Sequence, residues 1–198
     1  MDSTSICYQI TNDADLILKI LGLLGGIIVF TIGSSQYKTA QRWKQSEFLA
    51  KEMNDFNNNV DVMRAMVMLD WTQAEIFLYE EERLNELKDK TELSFDNGML
   101  LKAFSDHNTV KDFGDEGFRI RQIFDTFLYE LGKFQIYLDN DLITKMDLKK
   151  HVIYWLNIIG GNDNKGKSEE VIKALWHYID VYQYNTVKRL LRTYGIKI

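Results

Sequence analysis

The sequence predicts a mainly α protein: an N-terminal transmembrane helix that continues into a stalk, then a compact helical domain carrying one small β-hairpin. Three observations predict it. The stretch Leu16–Gln36, LILKILGLLGGIIVFTIGSSQ, holds one charge, Lys19, and there is none from Ile20 to Tyr37. Glu116–Leu138 repeats Ile120, Ile123, Phe124, Phe127, Leu128, Leu131, Phe134 and Leu138 at i, i+3, i+4 spacing for about five turns. There is no proline, so no backbone donor is missing and long helices can run uninterrupted.

The apolar stretch comes first. A helix rises about 1.5 Å per residue, so a hydrocarbon core of about 30 Å needs about 20 mostly apolar residues. Leu16–Gln36 is just long enough, and Lys19 can run its aliphatic stem along the helix to the headgroups. A cleaved signal peptide would want a basic leader; this leader carries Asp2, Asp13 and Asp15 and no base before Lys19. A buried core helix would show a polar face, and Ile20–Ile32 has only Thr31. Lys38, Arg42, Lys44 and Lys51 follow the run, while only acids precede Lys19. The positive-inside rule then places the N-terminus outside and the C-terminal bulk in the cytoplasm of the plasma (inner) membrane. The expected division is a leader over 1–15, a span over 16–36 and a cytoplasmic helical domain over 37–198. Gly22 and Gly26 form a GxxxG pair, a candidate face for helix pairing in lipid.

Composition narrows the function classes. With 198 residues, one globular domain remains after the anchor, large enough to bury a core. Aromatics make up 13% and the net charge is −5; no nucleic-acid partner is expected. A single cysteine, Cys7, excludes an internal disulfide and any multi-cysteine metal site.

The rest of the chain reads as follows. Tyr37–Asn54 extends the first helix as a stalk, with Trp43, Phe48, Leu49, Met53 and Phe56 at about helical spacing. Asn57-Asn58-Asn59 breaks it, and Asn59 caps Val60–Trp71, whose Met63, Met66, Val67 and Trp71 share a face expected to be core. Glu75–Tyr79 and Glu92–Phe95 look like short strands around the charged loop EEERLNELKDK. Asp96 caps Gly98–Phe104, and a polar loop with Gly114 leads into the long helix, ended by Asp139-Asn140-Asp141. Asp147 is the expected cap of Leu148–Ile159, with Leu148, Val152, Trp155, Leu156 and Ile159 as its stripe, stopped by Gly160-Gly161. Ser168 opens Glu169–Val181, with Leu175, Trp176 and Ile179 inward. Asn185 is the expected cap of Thr186–Tyr194, closed by Gly195.

One motif carries potential chemistry. Gly161-Asn-Asp-Asn-Lys-Gly166-Lys167-Ser168 fits GxxxxGK[ST], in which backbone amides and a lysine cradle phosphates while the serine holds magnesium. Against it, the 30 residues after Ser168 read as two helices with no strand to supply a metal-binding aspartate. There is no βαβ alternation, and the variable positions are bulky and charged. A solvated interhelical loop is the expectation. Asp139–Lys150 lacks the central glycine and terminal glutamate of a calcium loop. His107, His151 and His177 are scattered, and Asp70, Glu75 and Glu80-Glu81-Glu82 read as solvated faces and caps. No catalytic residue, cofactor or metal is expected, and the protein is not expected to be an enzyme.

Trp43–Trp71, WKQSEFLAKEMNDFNNNVDVMRAMVMLDW, together with Ile120–Leu156 and Ala174–Tyr182 (ALWHYIDVY), resembles an uncharacterised bacterial family of single-pass, N-terminally membrane-anchored helical proteins. The family shares an aromatic-rich "EFLAKE … DV…A…MLDW" segment, and the likeness covers most of residues 40–195. The resemblance implies an all-helical cytoplasmic domain on an anchor, with a small hairpin after "LDW". It implies no activity. The expected function is a membrane-anchored interaction or regulatory module whose partners are the lipid bilayer and either a protein or further copies of itself. The alternatives are a membrane-acting stress or defence effector that oligomerises through its transmembrane helix, and a nucleotide-binding protein using residues 161–168.

Overall fold

The structure is a computed structural model that describes residues 3–76, 93–162 and 167–196, with side chains from residue 18 onward. Cys7, the charged loop 80–90 and Gly166 therefore lie outside the described residues or side chains. The elements are α1 (Ser3–Asn58), α2 (Val60–Asp70), β1 (Ala74–Ile76), β2 (Leu93–Phe95), α3 (Asn97–Phe104), α4 (Gly114–Asp139), α5 (Lys145–Ile159), α6 (Glu169–Val181) and α7 (Asn185–Thr193). The protein is mainly α, with one long apolar N-terminal helix. The two strands pair antiparallel, Ala74 opposite Phe95 and Ile76 opposite Leu93. The chain divides into two compact units, Met1–Gln45 and Ser46–Ile198.

The first unit, from residue 18 onward, is helix whose apolar side chains face outward. The second is built around α4, which contacts α2, α3 and α7. Its predicted stripe is buried from Ile120 to Phe134, and Gly117, Arg121, Gly132 and Gln135 are buried with it. Burial on more than one side follows from a wide apolar arc, which gives α4 neighbours on several flanks. Leu49, Met53 and Phe56 from the end of α1 pack into this core, and the Phe56 ring meets Phe134 edge-on at 5.4 Å. Such a pair contributes about 1 kcal/mol beyond its buried area. Polar clasps hold the flanks. Asp61, in the first turn of α2, receives both nitrogens of Arg119 at 2.6 and 3.1 Å, and the Tyr137 hydroxyl donates to Glu52 at 2.6 Å.

Termini follow local chemistry. The Asn59 side chain accepts from the Asp61 and Val62 amides, and Asp96 accepts from Met99. Each such cap stabilises by about 1 kcal/mol. Helix α5 ends in a Schellman turn: Gly161 has φ +71°, its amide bonds Ile158 O, and the Asn162 amide bonds Asn157 O.

Four expectations need correction. The buried face of α2 is Val62, Ala65, Met68 and Leu69, while Met63 and Trp71 are exposed. This helix is apolar on almost every side, so two stripes satisfied the same spacing. Trp71 is the C-cap rather than the last helical residue. The cap of α5 is Thr144, whose hydroxyl accepts from the Asp147 amide at 3.2 Å and donates to Asp147 Oδ2 at 2.7 Å. At α7 the flanking residue is Tyr184, with no side-chain cap, and Asn185 is already helical.

Gly132 lets α4 and α7 approach closely. A Cβ added there would collide with the side chain of Thr186 on α7. Replacing glycine by alanine in a helix gains about 1 kcal/mol of propensity, whereas forcing a large side chain into a filled space costs about 1–3 kcal/mol. Gly132→Leu is therefore expected to destabilise the protein by about 1–3 kcal/mol, read as a lower midpoint in denaturant by circular dichroism. An unchanged midpoint would show that α4 and α7 do not pack as closely as this.

Candidate functional site

Three places merit attention: the apolar helix, the lysine of the glycine-rich loop, and an arginine–tyrosine network that sequence reasoning missed.

From Leu18 to Gly33 every residue of α1 is exposed. Val29 and Phe30 reach 72% and 76% exposure. This is the one helix among the described residues long and apolar enough to cross a membrane, and none of its apolar window is buried. A soluble protein rarely leaves so large an apolar surface uncovered. The single polar side chain within Ile20–Ile32, Thr31, donates its hydroxyl back to Ile28 O at 2.8 Å, so it carries no unmet hydrogen bond into an apolar medium. Gly22, Gly25 and Gly26 have nothing within 4 Å of an added Cβ, leaving that backbone face open.

The described residues of the phosphate-loop match, Gly161, Lys167 and Ser168, each have partners within the fold. Gly161 is the helix-stop glycine of α5. Ser168 is the N-cap of α6, its hydroxyl accepting from the Val171 amide at 3.4 Å. Lys167, only 4% exposed, turns inward. Its ammonium donates to Trp71 O and to Asn97 Oδ1, the latter at 3.3 Å, and lies 5.4 Å from the Phe95 ring centre. Trp71 closes the C-terminus of α2, where carbonyls lack partners and a cation is favoured. The lysine therefore ties together the end of α2, the hairpin and the start of α3. Burial pushes its pKa down to about 8, partly opposed by the Asp70 carboxylate. Asp70, expected to be a solvated cap, instead accepts the Tyr154 hydroxyl of α5.

The third place lies where α4 meets the turn between α6 and α7. Arg121 is 9% exposed. It donates to Ala103 O at 2.6 Å, to Ser105 O at 2.9 Å and to the Tyr182 hydroxyl at 2.5 Å, and its guanidinium lies 4.4–4.9 Å from the ring centres of Phe113, Tyr178 and Tyr182. One turn on, Asp125 accepts the hydroxyls of Tyr178 and Tyr184, both at 2.5 Å. Burial, and then the Asp125 carboxylate, raise both tyrosine pKa values. The Tyr182 hydroxyl also meets His107 Nδ1 at 2.6 Å. No signal in the sequence links these residues, which stand 53 to 75 positions apart.

Chemically, both polar clusters are closed. Among the described residues no buried side-chain nitrogen or oxygen lacks a hydrogen-bond partner, and no group of three or more His, Cys, Asp or Glu is placed to hold a metal. Lys167 binds carbonyl oxygens rather than presenting a donor to phosphate, and Arg121 pins the loop after α3. The arrangement orders chain segments.

Lys167 supplies a pH test. Its folded pKa, about 8, lies below the usual 10.5, so between these values the unfolded chain binds more protons there than the folded chain. Stability from this group is lowest below pH 8 and rises as pH climbs toward 10.5, by at most about 1.4 kcal/mol per pH unit. Lys167→Met should lack this rise, so the stability of the parent minus that of the variant should grow as pH climbs from about 8 toward 10.5. A difference that stays flat from pH 7.5 to 10.5 would place Lys167 in water. Comparison of the chain with protein-family models, with curated proteins and with solved structures yields no match.

Proposed function

We propose that this protein is a membrane-anchored interaction module. The helix at Leu16–Gln36 crosses the plasma membrane once, with the N-terminus outside and the helical domain in the cytoplasm, where it meets a protein partner or further copies of itself. The observation that carries this reading is the run of apolar side chains on α1 with nothing covering them. At about 25 cal/mol per Å² of apolar surface, leaving that run in water is costly and placing it in lipid is favourable. The bases at Lys38, Arg42 and Lys44 support the orientation. The closed polar clusters of the second unit favour recognition over catalysis. The sequence resemblance, over most of residues 40–195, to single-pass bacterial proteins supports the same reading.

Cys7 is the one cysteine in the chain, so it reports the orientation directly. In intact cells a membrane-impermeant maleimide should label it, with no further labelling after permeabilisation. Labelling that appears only in permeabilised cells would reverse the orientation, and a chain washed from membranes by alkaline carbonate would remove the anchor.

A second reading rests on the open backbone face at Gly22 and Gly26. Close approach of two such faces in lipid would make the protein a membrane-acting effector that works by oligomerising. Overexpression is then toxic, and Gly26→Leu relieves the toxicity at equal protein level. Growth unaffected by the parent chain would dispose of this reading.

A further inference from the structure

The turns of α1 just beyond the apolar run carry a feature that the anchor alone does not require. Lys38, Arg42 and Lys44 fall within seven residues, and no acid occurs between Asp15 and Glu47. In a chain of net charge −5 this is a local excess of the opposite sign. None of the three makes an ion pair with a described residue, and all three are exposed. Lys38 and Arg42 stand one turn apart on the same face, where Ser35, Gln41 and Gln45 line the shallow surface beside them. The Thr39 hydroxyl is committed to Ser35 O at 3.0 Å. Tyr37 and Trp43 are exposed on the same turns, at 70% and 68%.

Depth decides what these bases can meet. From Gln36, the end of the span, Lys38 lies about 3 Å along the axis, Arg42 about 9 Å and Lys44 about 12 Å. The headgroup layer outside the hydrocarbon is about 5–7 Å deep on each side. Lys38 therefore sits within the headgroup layer, and Arg42 and Lys44 sit outside it with stems long enough to reach back. Tyr37, about 1.5 Å past the span, occupies the depth at which amphipathic rings partition to the interface.

We propose that Ser35–Gln45 is a binding site for anionic phospholipid headgroups. Lys38 and Arg42 bind the phosphate of one lipid side by side, Lys44 attracts a second from another face of the helix, and Tyr37 fixes the depth. This rests on the reading that Leu16–Gln36 spans the membrane, and it adds the lipid class which that reading leaves open. Each base near an anionic surface favours binding about fivefold, so three together select anionic over zwitterionic lipid by up to about a hundredfold.

The test uses the full chain reconstituted in nanodiscs of phosphatidylcholine and phosphatidylglycerol, with retained lipids counted by native mass spectrometry. The parent chain should retain phosphatidylglycerol well above its share. The variant Lys38→Gln/Arg42→Gln/Lys44→Gln should lose that preference by about tenfold or more, and Lys38→Arg/Arg42→Lys should keep it. Lipids retained in proportion to the mixture, by a chain that resists carbonate extraction, would overturn this inference and leave the anchor standing. A chain that does not insert would overturn both. Displacement of the lipid by excess inorganic phosphate would show a phosphate site instead, and would likewise overturn the inference.

Discussion

The second unit depends on one constraint: α4 must be covered on several flanks at once. Its buried residues run from Gly117 to Gln135, with contacts to α2, α3 and α7. A helix with so wide an apolar arc is unstable alone in water, and each neighbour removes part of that surface. Gly132 admits α7, and Arg119 reaches Asp61 on α2. Arg121 holds the end of α3 and the turn after α6. Helices α2, α3 and α7 take their places because α4 offers each a different strip of one rod, while α5 packs on α2 and α6.

The polar interior follows the same logic. A buried guanidinium is costly unless each donor is met. Here two carbonyls and a phenol meet it, and three rings lie against its planar group. Asp125 serves two phenols, whose burial, and then its own carboxylate, raises their pKa values. Such closed networks specify a unique packing, because removal of one member leaves the others unpaired.

How much of this was legible in the sequence depended on how unambiguous each local signal was. The stripe of α4 was legible because it repeats for several turns with charges opposite. The hairpin was legible from β-forming residues on either side of a charged loop. The inward face of α2 was not, because methionine and valine surround the helix and two stripes fit the same period. The cap of α5 was misplaced by three residues because Thr144 and Asp147 are both residue types that cap helices, and the two side chains bond each other. At the loop match, the residue types of a phosphate cradle were present, but Lys167 was drawn inward by the carbonyl of Trp71, a partner 96 positions away. The clasp of Arg121 with Tyr182, 61 positions apart, left no trace in any window of sequence.

The register of the hairpin has one more consequence. Ile76 and Leu93 are cross-strand partners, so the two points that residues 77–92 join are neighbours in space. Closing a chain between fixed neighbours costs little more as the chain lengthens, about 0.6 kcal/mol of entropy per doubling. The pairing of Ala74 with Phe95 and of Ile76 with Leu93 therefore sets where the two strands meet without setting how many residues separate them.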